Sequence, residues 1–312
     1  MRGIDICRSF YEQCGAPLLK RKVPDVVARA AVGLAGEGSD CFGFDDLISR
    51  DHDWGPAFCL WLPATELNRD ADRLEAALAG LPAVFEGIAV RMRPQLRQGR
   101  VGPLSIEDFY ARFTNLTRPP ASWKEWRLIP ENFLAVATNG EIFHDPSGRF
   151  TAHRKALLAF YPEDVRRKKI AARLAGLAQS GQYNLPRVLR RGETVAALLT
   201  AAEFSRQALS LTFLLNRRYM PFYKWAFRAA ADLPLLGEDA RTALDGLARL
   251  RWDDISPQAA ADAVETLCVR FASTLRAEGL SDVGGDWLLT HAEAVQRTIV
   301  TPELRAMPLM ME

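Results

Sequence analysis

The chain has 312 residues, 48% hydrophobic and 25% charged, with 40 Lys and Arg against 38 Asp and Glu. That composition excludes a disordered or fibrous chain and supplies enough apolar surface for a core without a metal staple. A net charge of +2 excludes bulk attraction to nucleic acid or to an anionic membrane, so any basic site must be local.

The opening Met-Arg-Gly-Ile-Asp-Ile-Cys-Arg sets charges where a signal peptide needs an apolar run, and the most apolar stretch, residues 58–62, is only of strand length. Both features point to a cytoplasmic chain with no membrane partner. Its five cysteines (7, 14, 41, 59 and 268) include no Cys-x-x-Cys pair, which argues against a disulfide framework or a zinc site and fits a reducing compartment.

Residues 24–35 read as a helix, or a helix running into a strand, with Pro24 in its first turn. Residues 51–62 read as a strand ending in Phe-Cys-Leu-Trp-Leu. Thr65 is placed to cap a helix carrying Leu67, Leu74, Ala77, Leu78 and Leu81 on one side, closed by Pro82. Residues 88–92 suggest a further strand, and Ser105-Ile-Glu-Asp-Phe an N-cap and helix start. Residues 117–126, with two prolines and two tryptophans, read as a structured loop. A helix over 130–138 ends near Gly140, and a short strand over 141–144 is turned by Asp145-Pro-Ser-Gly. Beyond residue 150 helical periodicity dominates, through 165–178, 195–215, 222–231, 240–250, 259–275 and 287–300. The expectation is an α+β protein: a small mixed-sheet α/β domain over residues 1–150, then an all-α helical bundle over 151–312.

The most specific chemical signal is Gly38-Ser39 followed, after eleven residues, by Asp51-His52-Asp53. On a strand, residues i and i+2 share a face, so Asp51 and Asp53 would be adjacent and would repel unless a cation sat between them. Mg²⁺ suits such a pair, its shell completed by water and substrate phosphates. A Gly-Ser turn at a strand end offers N–H groups and a hydroxyl to those phosphates. The bland alternative is a polar turn, with Asp45, Asp46 and Arg50 in surface ion pairs.

Gly38-Ser39 with Asp51-His52-Asp53 resembles the signature of the DNA polymerase β-like nucleotidyltransferase superfamily. The longer stretch over residues 36–56 resembles an uncharacterised, mostly bacterial domain-of-unknown-function family within it. That likeness continues in Gly181-Gln-Tyr-Asn and in Leu215-Asn-Arg-Arg-Tyr-Met-Pro-Phe-Tyr-Lys-Trp. The resemblance implies an architecture like kanamycin-type nucleotidyltransferases, with ATP or another nucleoside triphosphate as donor substrate and Mg²⁺ as cofactor. Asp51 and Asp53 would bind the metal and Gly38 and Ser39 the phosphates. The acceptor is left unidentified, a small molecule being favoured over RNA or protein.

Such enzymes usually carry a third acid on a later strand. Glu86 and Glu107 are the candidates, Glu107 being equally suited to capping a helix, and Arg100-Val-Gly-Pro contains no acid. Without that acid the chain would be a catalytically decayed nucleotide-binding or partner-binding regulator. In the helical half, basic clusters at 166–169, 187–191 and 217–224 offer cations for a triphosphate, with Lys168, Lys169, Arg187 and Lys224 the assigned phosphate ligands. Gln182 and Asn184 can hydrogen-bond a base or simply hold a turn.

Overall fold

The computed structural model describes residues 2–50, 54–252 and 256–312. The chain divides into two compact units, the first made of residues 1–120 and 133–159 and the second of 121–132 and 160–312. The division therefore falls nine residues beyond the expected boundary at 150, and a segment around residue 126 joins the helical unit.

The first unit is built on a four-stranded mixed sheet. Strands β1 (Ala31–Leu34), β2 (Cys59–Leu62), β5 (Gly102–Ser105) and β6 (Glu141–His144) lie in the order β5-β2-β1-β6. β1 pairs antiparallel with both β2 and β6, and β2 pairs parallel with β5. β1 and β2 are buried at every position, which is why both read as unbroken apolar runs rather than alternating ones. The parallel β2–β5 pair needs a long connection. It is supplied by the helix Ala64–Leu78 and by a two-stranded hairpin, β3 (Val84–Phe85) with β4 (Ile88–Ala89). The expected strand over 88–92 is thus a hairpin arm outside the main sheet, and the strand expected to begin at 51 begins, among the described residues, only at Cys59.

One further expectation needs correction, and one segment has no assignment from sequence. Residues 3–22 form a helical run whose Tyr11–Gly15 portion is π-helical. Its Phe10 and Tyr11 rings pack 5.8 and 5.4 Å from that of Phe58. The supposed loop before residue 126 carries a helix, Trp123–Leu128, capped by Ser122, whose Oγ accepts the Glu125 N–H, while Glu125 accepts the Ala121 N–H. The Ser122-x-x-Glu125 spacing is that of a capping box, with the Ala121 N–H taking the place of the Ser122 N–H.

Trp61 of β2 is the centre of the aromatic core, stacked on Phe150 at 4.0 Å and meeting Phe109 edge-on at 5.3 Å. The Ser105 cap is as expected: its Oγ accepts the Asp108 N–H at 2.9 Å and starts the helix Ile106–Thr114.

The second unit is all helical. The helix Glu163–Leu177 is buried on nearly every face and packs against Thr194–Leu215 and Leu288–Arg297. Gly237–Ala248 packs on Pro257–Ala277. Among the described residues no helix is long and apolar enough to cross a membrane.

Candidate functional site

β1 ends at Leu34, and residues 35–38 turn the chain into the short helix Ser39–Phe42. Gly36 has φ +139°, a backbone region closed to other residues. At Gly38 a Cβ would stand 2.1 Å from Asp40 Oδ1, so the Asp40 carboxylate folds back over the space that glycine leaves open. The turn is held from β6's side by Asn139, which accepts the Gly36 N–H at 3.0 Å and donates to the Gly36 carbonyl at 2.7 Å. The Gly140 N–H donates to Cys41 O at 2.9 Å, and the Arg154 guanidinium donates to the carbonyls of Thr138, Asn139 and Gly140. This clamp is absent from the sequence reading, where Asn139-Gly140 marks only a helix end.

Beside the turn lies a narrow cleft. Its cavity volume is only about 30 Å³. Three arginines reach it: Arg91, Arg100 and Arg112, with Gly36, Glu37 and Gly38 on the facing edge. Arg112 pairs with Glu37 at 2.5 Å, and Arg100 stands 3.9 Å from the same carboxylate. Arg91 approaches Asp40 at 3.8 Å. Burial drives the Asp40 carboxyl above the usual carboxylate range against the pull of Arg91, and its Oδ2 is buried without a hydrogen bond. None of these arginines is singled out by sequence as a phosphate ligand: none belongs to a basic run, and Arg100 enters only in a segment searched for an acid.

Asp51 and Asp53 lie outside the described residues. Their neighbours are well tied: Asp45 Oδ2 accepts both the Gly3 N–H at 2.7 Å and the Trp54 indole N–H at 3.0 Å, and the Arg50 guanidinium lies 4.4 Å over the Trp54 ring. Asp45 is therefore an internal anchor rather than half of a surface ion pair. Among the described residues there is no cluster of three metal-ligating groups.

Glu107 accepts the Ala64 N–H at 2.9 Å, which places it at the start of the helix Ala64–Leu78 in the capping role given to Thr65. It does not line the cleft. Lys168 and Lys169, expected to meet phosphate, are instead interior. The Lys168 ammonium, 1% exposed, donates to Gln296 Oε1 at 2.6 Å and to the carbonyls of Met307, Pro308 and Leu309 at 2.8–3.3 Å. With four oxygens around it and burial pulling its pKa down to about 8, it has no room for a solute anion. Lys169, 4% exposed, faces Glu312 at 3.6 Å and the Tyr161 ring at 5.2 Å. Arg187 and Lys224 are exposed and lie over the rings of Tyr183 and Trp225 at 3.6 and 4.4 Å. Gln182 is taken up internally, bonding Glu265, the Asp286 carbonyl and the Leu288 N–H.

Residues 126–226 match the model of a family described as a domain of unknown function (DUF4037). That segment holds the Gly181-Gln-Tyr-Asn and Leu215–Trp225 stretches, and over it the resemblance to an uncharacterised domain family is borne out. No curated protein matches the chain. Among solved structures, a nucleotidyltransferase-like protein from Exiguobacterium sibiricum 255-15 is similar over 85% of this chain and 77% of its own, at 14% identity and a TM-score of 0.39.

Proposed function

We propose that the chain is a nucleotidyltransferase that moves a nucleoside monophosphate from a nucleoside triphosphate, ATP by default, to a hydroxyl acceptor, most simply a small molecule. The observation that carries this reading is the arginine-lined cleft beside the Gly36–Gly38 turn. A triphosphate brings several negative charges, and guanidinium forks beside an approachable glycine backbone match its outer oxygens. The donor set of Asp51-x-Asp53 suits Mg²⁺, which when bound would polarise the α-phosphate and stabilise the departing pyrophosphate.

In this reading the β- and γ-phosphates widen the cleft and displace the Glu37 and Asp40 carboxylates from the three arginines, which then hold them together with the Gly38 and Ser39 region. The Asn139 clamp keeps the turn in one shape, and the acceptor hydroxyl attacks the α-phosphorus in line. The new P–O bond forms as the bond to pyrophosphate breaks, and the hydroxyl proton leaves to solvent or to a base. Positioning and charge neutralisation supply most of the rate. Arg187 and Lys224 are exposed cations available to anionic ligands of the helical unit.

A second reading, a nucleotide-binding regulator without turnover, is favoured by one observation: Glu107 is engaged at a helix start rather than in the cleft. The two part on experiment. With labelled nucleoside triphosphates, Mg²⁺ and cell extract, transfer that disappears in Asp51→Asn/Asp53→Asn supports the enzyme. Binding seen by calorimetry with no labelled product supports the regulator, and the absence of both rejects the nucleotide reading altogether.

A further inference from the structure

The helical unit contains a second cationic cavity, of about 350 Å³, lined by Arg127, Glu131, Lys169, Arg173, Arg206 and Glu312 among others. Its floor is charged and buried. Arg173, 8% exposed, donates to Ser210 Oγ at 2.6 Å and to Glu131 at 3.0 Å, and Ser210 donates on to Glu131. Into this cavity the chain inserts the Glu312 side chain, which meets Arg173 at 2.6 Å and Lys169 at 3.6 Å. The fit is incomplete. Glu312 Oε2 is buried without a hydrogen bond, and so is Arg127 Nε, although another Arg127 nitrogen donates to the Glu312 backbone oxygen at 3.0 Å. Burial opposes ionisation of Glu312, but Lys169 and Arg173 outweigh it and hold the carboxyl below its usual range.

Without the Glu312 carboxylate, Arg127, Lys169 and Arg173 would face Glu131 alone, since Arg206 is already paired with Glu203 at 2.8 Å. Buried cations in excess of their counter-charges make a receptor for a small anion. We propose that this cavity is a dicarboxylate-binding site for which Glu312 serves as a built-in, displaceable ligand. One carboxylate of the incoming molecule takes the Glu312 position on Arg173 and Lys169, and the other takes the Arg127 nitrogen that Glu312 leaves unpartnered. The segment that carries Glu312 is held separately, by Lys168 on the carbonyls of residues 307–309, so the side chain can leave while the backbone stays anchored.

Glutarate, with glutaramide as its neutral isostere, tests the site by calorimetry at constant ionic strength. Glu312→Ala is expected to bind glutarate at least about tenfold more tightly than the wild type, the worth of one charge-assisted hydrogen bond. Glutaramide should bind neither, and adding Lys169→Met should remove most of the gain. Equal affinity of wild type and Glu312→Ala, no binding to a folded Glu312→Ala, or equal binding of glutaramide would overturn the proposal. A measurement on the wild type stands independently of that variant: glutarate, and not glutaramide, should accelerate amide hydrogen exchange over residues 310–312, beyond the Lys168 anchor, and leave it unchanged over residues 288–297. Unchanged exchange over 310–312 at saturating glutarate rejects displacement.

Discussion

Asn139 is the most informative residue to perturb, because it holds the glycine turn of the proposed phosphate site without lining the cleft itself. Its two hydrogen bonds to Gly36, at 3.0 and 2.7 Å, lock a residue whose φ of +139° has no intrinsic preference behind it. Each such bond contributes about 0.5–1.5 kcal/mol net, so Asn139→Ala should loosen the turn by about 1–3 kcal/mol. In native-state hydrogen exchange that energy corresponds to roughly five- to hundred-and-fifty-fold faster exchange. The acceleration should be confined to peptides spanning residues 34–41, with those spanning the Thr194–Leu215 helix unchanged. Asn139→Asp keeps the acceptor for the Gly36 N–H but sets a carboxylate against the Gly36 carbonyl, and should be at least as damaging. If exchange over 34–41 stays at the wild-type rate in a folded Asn139→Ala protein, the clamp does not hold the turn. In that case the turn's conformation would have to come from the β1–β6 pairing alone.

Three other outcomes follow from the same structure. Arg173→Met removes the cation between Glu131 and Glu312 and should cost about 3–5 kcal/mol in urea denaturation; a loss under about 1 kcal/mol would mean the buried pairs do not bear on stability. His153 is buried against Tyr110 at 3.6 Å, its Nε2 unpartnered, and burial pulls its pKa down from 6.5 to about 4. The folded imidazole therefore stays neutral where the unfolded one takes a proton. Stability should fall by on the order of 3 kcal/mol as pH drops from about 6.5 to about 4, a dependence that His153→Phe flattens. Of the five free cysteines only Cys14 is not buried, while burial pushes the thiols of Cys7 and Cys59 up to about 12. Native protein should thus take one equivalent of a thiol reagent quickly, at Cys14, and all five only in denaturant; rapid native labelling of Cys41 or Cys59 would contradict the packing beside the cleft.

How much of the site was legible depends on the range of the forces that made it. The Ser105 cap could be read because its bond spans three residues, and β2 because burial on both faces leaves an unbroken apolar run. The glycines of the turn could be read because their need is local. The Asn139 clamp spans 103 residues, and the cleft's arginines, at 91, 100 and 112, meet a turn at residues 36–38, so no local pattern shows either.

The sequence alone determined the α+β character, the helix-rich second half and the Gly-Ser turn as the place to look for chemistry, since periodicity and turn chemistry act over a few residues. Only the tertiary structure decided what the charges do. Arg166-Arg-Lys-Lys169 reads as a cluster of cations for a triphosphate, yet Arg166, Lys168 and Lys169 are buried. Lys168 finds its oxygens 128 to 141 residues away, and Arg173 its carboxylate at Glu131, 42 residues upstream. A cation on a helix looks the same in sequence whether water or a distant carboxylate will neutralise it, and packing alone makes that choice.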